Sequence, residues 1–391
     1  TDLDLAVDSD VFLHEFTHYV NHNAVGFNMG QMGSNSYGFS PFSGGVGEGV
    51  SDYFACTVNG DPVLGETAFQ TSGGGRDLTV TSGVCPDNIY GQVHMDGALI
   101  GSVSWTLRET FGQTVTDQLV WGAVTLLQPL ATHGDFAAGL VQTANDLVIA
   151  GTLTAADVTT VQNALDARGL SDCFQELLIA PGADRTTQMF GLEIFAYMFG
   201  GTCQDIRNYG FTGQSLFHFR ATPAPGDVGV RLSVTLAAQE PNPDLSWDIY
   251  GRQGQHVDFM SGGMGMPQVS AYDYRVQGIT AATGELVIDE SSDPPFDPSE
   301  TYHFVIVHTN CPSTEAVVSV EPYEPPQYQD AGVDAETADA SVTADASTSG
   351  PDPKDGCSCG TIPAAGDALP LLLVGLFLLG CRRRRRRPTH I

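Results

Sequence analysis

The chain has 391 residues, with 16 Lys plus Arg against 46 Asp plus Glu and a formal net charge of −30. Six of the basic residues are Arg382 to Arg387, so residues 1–381 hold ten basic and 46 acidic side chains, a net −36. Lysine occurs once, at Lys354. This balance argues against nucleic acid as a partner, because phosphate contacts need clustered Lys and Arg. It suits a soluble extracellular protein or one adapted to salt, and the length allows two domains plus tails.

The first predicted element is a helix carrying His14-Glu15-Phe16-Thr17-His18, between Val11-Phe12-Leu13 and Tyr19-Val20. Positions i and i+4 share one helix face, so His14 and His18 can offer two imidazoles to one Zn²⁺. Glu15 lies one step round, placed to take a proton from water activated there. A catalytic zinc site needs a third protein ligand. The Gly and His that a metzincin would carry downstream are replaced by Asn21 and Ala24. The next predicted helix supplies a Glu instead, in Gly47-Glu48-Gly49-Val50-Ser51-Asp52-Tyr53-Phe54. Glu48 and Asp52 are again i and i+4. Glu48 can reach the metal, and Asp52 can accept the free N–H of a ligand histidine. The Gly-, Ser- and Asn-rich stretch from Asn21 to Val46 suits a connection that folds the second helix back over the first.

These motifs together resemble the fungalysin family, relatives of thermolysin among the gluzincins. The resemblance implies a zinc metalloendopeptidase with His14, His18 and Glu48 as ligands, Glu15 as general base and Asp52 as the partner of His14. It also implies Ca²⁺ ligands at Asp10, Asp61 and Glu66. Farther on, Gln92-Val93-His94-Met95-Asp96-Gly97 opens an apolar segment running to Phe111. It resembles the Val-His-x-x-Gly step of the same relatives, whose His donates a hydrogen bond to the reaction's oxyanion. Asp87, in the preceding Cys85-Pro86-Asp87-Asn88 turn, is a candidate to orient His94. The family carries a β-rich half ahead of the zinc helix, whereas 13 residues precede His14. The chain therefore reads as a fragment of a longer product, or as a degenerate remnant.

Helices are predicted over Val93 to Phe111, Val115 to Leu127, Asp135 to Ala150, and from a Thr154–Asp157 capping box to Arg168 with Gly169 as the stop. The family resemblance covers about residues 8–172. Between 205 and 322 the period changes. Ser215–Arg220, Gly229–Leu236, Leu245–Tyr250, Tyr302–His308 and Ala316–Val320 alternate or run apolar, with turn residues between them. This predicts an antiparallel β-sandwich in which His218, His303 and His308 are strand residues rather than ligands. Met260 to Pro267 reads as a loop. The fold class expected is thus a mainly α, thermolysin-like C-terminal catalytic lobe (1–204) followed by an antiparallel β-sandwich (205–322).

Residues 323–356 hold Pro, Asp, Ala, Ser and Thr with almost no large apolar side chain, and predict a disordered acidic stalk. The remainder, 357–391, holds Cys357-Ser358-Cys359, a 14-residue apolar run from Ala368 to Cys381, and the six arginines. The run is short for a span of about 20 residues. The Cys-x-Cys step, the apolar run and the arginines together resemble the C-terminal sorting tags of myxobacterial surface proteins, which implies envelope sorting machinery as a partner. A marginal membrane anchor with its arginines cytoplasmic is the alternative. Eight cysteines without a C-x-x-C pair suggest disulfides in an oxidising compartment. Cys56–Cys85 and Cys203–Cys311 are the expected pairs, which leaves Cys173 unpaired or paired outside this sequence.

The reading that unites these features is a secreted or surface-held zinc metalloendopeptidase acting on proteins or peptides. Its rival is a catalytically incompetent surface binding or adhesion protein that retains a remnant peptidase lobe. The intact Glu15 favours the first, and the short stretch before His14 favours the second.

Overall fold

The computed structural model describes residues 8–26, 33–68, 75–193, 196, 201–208, 210–237, 246–261, 267–309 and 313–324. The predicted stalk from residue 325 on, the Cys-x-Cys step, the apolar run and the arginines lie outside the described residues. Among the described residues, no helix is long and apolar enough to cross a membrane.

The first half is built mainly on the helices α1 (Ser9–Val25), α2 (Phe42–Asn59), α3 (Val93–Phe111), α4 (Gln113–Leu126), α5 (His133–Ile149) and α6 (Ala155–Asp166). Their ends follow local chemistry. Asp8 caps α1 by accepting from Asp10 N, and Gly26 ends it with φ 77°. Reciprocal capping boxes open α5 (Thr132 and Asp135) and α6 (Thr154 and Asp157). The usual amphipathic pattern is inverted on α1. Its buried residues are Asp10, His14, Thr17, His18 and Asn21, while Phe12, Phe16 and Tyr19 are exposed. A helix that turns its polar face inward has a polar reason to do so.

Helix α2 is buried along almost its whole length because it is small and apolar on nearly every side. It crosses α3 at glycine positions. A Cβ at Gly49 would overlap the carbonyl oxygen of Gly97 and lie 2.5 Å from Ile100 Cβ. A Cβ at Gly97 would stand 2.8 Å from Glu48 Cβ and 2.8 Å from Gly49 N. The two backbones approach this closely only because these positions carry no side chain.

The strands begin well before residue 205. Two short pairs lie among the helices: β1 (Gly33–Asn35) with β2 (Gly38–Ser40), and β3 (Val63–Leu64) with β4 (Arg76–Asp77). Then come β5 (Glu176–Leu178), β6 (Asp184–Met189), the short helix α7 (Cys203–Asn208), β7 (Gly213–Gln214), β8 (His218–Ala221), β9 (Gly229–Leu236) and β10 (Trp247–Gln253). The rest are β11 (Asp258–Ser261), β12 (Pro267–Ala271), β13 (Tyr274–Ile279), β14 (Thr283–Asp289), β15 (Tyr302–His308) and β16 (Thr314–Pro322). The larger sheet runs β13-β10-β15-β8-β5, with β7 also on β15; the smaller runs β14-β9-β16-β6. Strands β11 and β12 pair with each other, so the predicted Met260–Pro267 loop begins and ends on strand residues. Residues 262–266 between them lie outside the described set.

The expected fold class is corrected. The molecule is mixed α and β rather than a mainly α lobe followed by a separate antiparallel sandwich. One continuous core takes Val46, Val50 and Phe136 from the helices together with Phe219, Leu232 and Ile306 from both sheets. Strand β5 pairs with β8 in parallel, so the larger sheet is not purely antiparallel. The strand-rich part also grips the hairpin that joins α1 to α2. Gln214 Oε1 accepts from Phe39 N at 3.0 Å, Gln175 Nε2 donates to Phe39 O at 3.1 Å, and His218 Nε2 lies 2.8 Å from Tyr37 O.

The cysteine pairing is corrected as well. Cys85 is bonded to Cys173, with Cα atoms 5.8 Å apart. Cys56 is a free thiol buried on α2. Cys203 is disulfide-bonded, and Cys311, its expected partner, lies outside the described residues. Cys85 sits beside 168–173 because its N–H donates to Arg168 O at 2.9 Å. The bridge closes a loop across a separation of 88 residues. Cys173→Ala should therefore lower unfolding free energy by about 2–4 kcal/mol. Peptide mapping of the native protein should recover the 85–173 crosslink. A Cys56–Cys85 peptide, or wild-type stability in Cys173→Ala, would refute it.

Candidate metal centre

One turn of α1 sets the imidazoles of His14 and His18 side by side, ring centroids 4.6 Å apart and nearly perpendicular. Their Nε2 atoms are 2.9 Å apart. From α2, Glu48 Oε2 lies 3.2 Å from His14 Nε2 and Oε1 lies 3.3 Å from His18 Nε2. All three residues are buried, at 5%, 7% and 5% exposure. They are the group among the described residues whose ligand atoms converge closely enough to hold a metal ion. Zn²⁺ fits them on three counts. The donors are two imidazoles and a carboxylate, the set that catalytic zinc uses. Bonds of about 2.0–2.1 Å in a tetrahedron put neighbouring ligand atoms about 3.3 Å apart, near the spacings seen. Glu48 Oε2 is buried without a hydrogen-bond partner, an unmet need that a cation would meet.

Asp52, one turn beyond Glu48, is fully buried, and its Oδ1 lies 2.7 Å from His14 Nδ1. That contact fixes the His14 proton on Nδ1 and aims the Nε2 lone pair at the centre. Arg76, from β4, holds Asp52 through both oxygens, with Nε–Oδ2 at 2.8 Å and Nη2–Oδ1 at 2.5 Å. Burial alone would depress the His14 pKa. The hydrogen bond to Asp52 and the negative charges of Asp52 and Glu48 outweigh it and raise the ring to about 9 in the metal-free site. Burial likewise pushes Asp52 and Glu48 up, but Arg76 and His14 hold Asp52 below the ordinary carboxylate range, and His14 and His18 hold Glu48 well below it.

His94, near the start of α3, points Nε2 at Glu48 Oε2 from 3.4 Å, with a third of its side chain exposed. Its Nδ1 lies 3.2 Å from Gln92 Nε2. Asp87 is exposed in its turn. Asp96, fully buried, accepts from Tyr90 N at 2.8 Å and Gly91 N at 3.0 Å, and so pins the turn that leads into α3. Glu15 is exposed on α1, among Phe12, Phe16 and Tyr19. Asp10, Asp61 and Glu66 line one surface pocket with Asp8. Asp10 already bonds Asn59 Nδ2 and accepts from Gly65 N, while Asp8 accepts from Ala68 N. These contacts tie α1 to the segment after α2. His218 and His308 are buried on backbone carbonyls, and His303 Nδ1 lies 2.6 Å from Glu176 Oε1.

Sequence reasoning missed Arg76, and it gave Gln92, the first residue of the His94 motif, no role. Arg76 carried one faint signal. It is among the ten basic residues available to pair with 46 acids before the tail, yet no local motif surrounds it.

No protein-family model matches this chain, and no curated protein matches it. Among solved structures it is similar to a family GH115 4-O-methyl-alpha-glucuronidase, BtGH115A, with specificity for decorated arabinogalactans. That similarity is 9% in sequence, covers 57% of this chain and 33% of that one, and has a TM-score of 0.18. The chain thus spans about a third of that protein, and a likeness so slight defines neither its fold nor its function.

Proposed function

We propose that the chain is a zinc metallopeptidase that hydrolyses peptide bonds in proteins or peptides. The observation that carries this reading is the convergence of His14 Nε2, His18 Nε2 and the unpartnered Glu48 Oε2. Zinc bound there supplies a Lewis acid that polarises a peptide carbonyl and acidifies water. Asp52, held by Arg76, orients His14. Glu15, adjacent to His14 in the chain, accepts the water proton and passes it to the leaving amine. His94 donates a hydrogen bond to the oxyanion that develops on the carbonyl. The resemblance of these motifs to the fungalysin family supports the same chemistry. The Cys85–Cys173 bridge supports an extracytoplasmic location.

Metal analysis should find close to one zinc per chain, and casein hydrolysis should depend on it. Glu15→Gln should keep the zinc and lose about 10²–10⁴-fold in kcat, the range that general-base catalysis supplies. Hydrolysis undiminished in Glu15→Gln would remove Glu15 from the mechanism. Zinc binding with no hydrolysis by the wild-type chain would favour the surface-binding reading instead.

A further inference from the structure

We propose that Gln92 is a positioning residue that locks His94 in the tautomer with its proton on Nε2, the atom facing Glu48; this deepens the metallopeptidase reading above and rests on it. Gln92 caps the N-terminus of α3. Its Oε1 accepts from Met95 N at 2.7 Å. With the oxygen taken by the helix, the amide nitrogen is the end turned toward His94, 3.2 Å from Nδ1. An amide NH₂ can only donate, so Nδ1 must accept and carries no proton in the neutral ring. The proton then belongs to Nε2.

On the other side of the ring, Nε2 faces Glu48 Oε2 from 3.4 Å, too loosely for a hydrogen bond, so this side does not select the state. The opposite tautomer would set N–H against N–H at Gln92, and that contact is the one that selects. The turn carrying Gln92 is itself held by the buried Asp96 through Tyr90 N and Gly91 N. A carboxylate orienter such as the sequence-suggested Asp87 would have required the reverse, a proton on Nδ1. Gln92 thus serves two ends at once. It satisfies an orphan donor of α3 and presents an N–H from His94 to the space where substrate charge develops.

The test is ¹⁵N NMR of the zinc-loaded full chain labelled at histidine, with the His94 signals assigned by their loss in His94→Gln. Wild type should show Nδ1 at the downfield, unprotonated position and Nε2 at the upfield, protonated one. Gln92→Glu keeps the acceptor for Met95 N but turns an acceptor toward Nδ1, so Nδ1 should gain a proton and move upfield. Gln92→Asn, which retains an amide, should keep Nδ1 unprotonated. Loss of α3 structure alone would not exchange the two nitrogens' positions. A protonated Nδ1 in the neutral wild-type ring, or an unchanged Nδ1 in Gln92→Glu, would overturn the proposal. The spectra decide this whether or not the chain hydrolyses casein, so failure of the peptidase reading is seen separately.

Discussion

His14→Ala should lose zinc affinity by more than the about 10–100-fold that removing an outer partner of a metal ligand costs, and Asp52→Ala should lose about that amount. The two losses differ because His14 Nε2 is one of three converging donors, whereas Asp52 acts through His14 Nδ1. The affinity should also depend on pH in a stated direction. The metal-free His14 ring is raised from 6.5 to about 9. Zinc must displace that proton, so apparent affinity should rise as pH rises through this window, by up to about tenfold per unit, and level off above it. The stability of the metal-free protein should move the other way. A group whose folded pKa is raised contributes its full stability below the unfolded value and loses it as pH passes the folded value. His14 therefore supports the empty site below about 6.5 and ceases to by about 9. Competition titration against a chelator at several pH values would test the first trend, and urea unfolding of the apo protein the second. Wild-type affinity in His14→Ala would remove it from the ligand set.

Gly49→Ala should be among the most damaging single-atom additions in the chain. The new Cβ would overlap the Gly97 carbonyl oxygen and stand 2.5 Å from Ile100 Cβ and 3.0 Å from Gly101 N. Two of these three neighbours are backbone of α3, which cannot rotate away, so the helices must separate. Overpacking of this kind costs about 1–3 kcal/mol, and the helix-propensity gain of about 1 kcal/mol from replacing Gly offsets only part of it. The site should suffer beyond the stability loss, because Glu48 adjoins Gly49 on α2 and His94 rides on α3. Gly47→Ala is the matched control. It sits on the other side of Glu48, yet its Cβ would meet nothing nearer than His18 Nδ1 at 3.9 Å. Thermal unfolding and zinc titration should therefore show Gly47→Ala near wild type and Gly49→Ala impaired in both. Equal behaviour of the two variants would refute the close crossing of α2 and α3.

What could be read locally was read well. The i, i+4 spacing placed His14 beside His18 and Glu48 one turn from Asp52, because a helix face follows from spacing alone. The Thr154–Asp157 box opens α6, and β9 and β15 span the predicted residues, because the capping bond and the apolar pattern are local properties. The strands that escaped notice include β5, β6, β13 and β14. All four lie at the edges of the two larger sheets, where polar residues such as Arg185, Arg275 and Glu285 leave fewer apolar positions to mark a strand than a central strand such as β15 offers.

The amino-acid sequence by itself determined which residues make up the candidate metal centre, the ends of several helices and the acidic balance of the chain. Each is a matter of residue type, or of neighbours a few positions apart. Only the tertiary structure decided that Arg76 holds Asp52, that Gln92 rather than Asp87 adjoins His94 Nδ1, that Cys173 rather than Cys56 pairs with Cys85, and that helices and sheets share one core. Most of these contacts join residues far apart in the chain, so no local period encodes them. Gln92 is close to His94 in sequence, but the polarity of its hydrogen bond depends on how the amide is held by the start of α3.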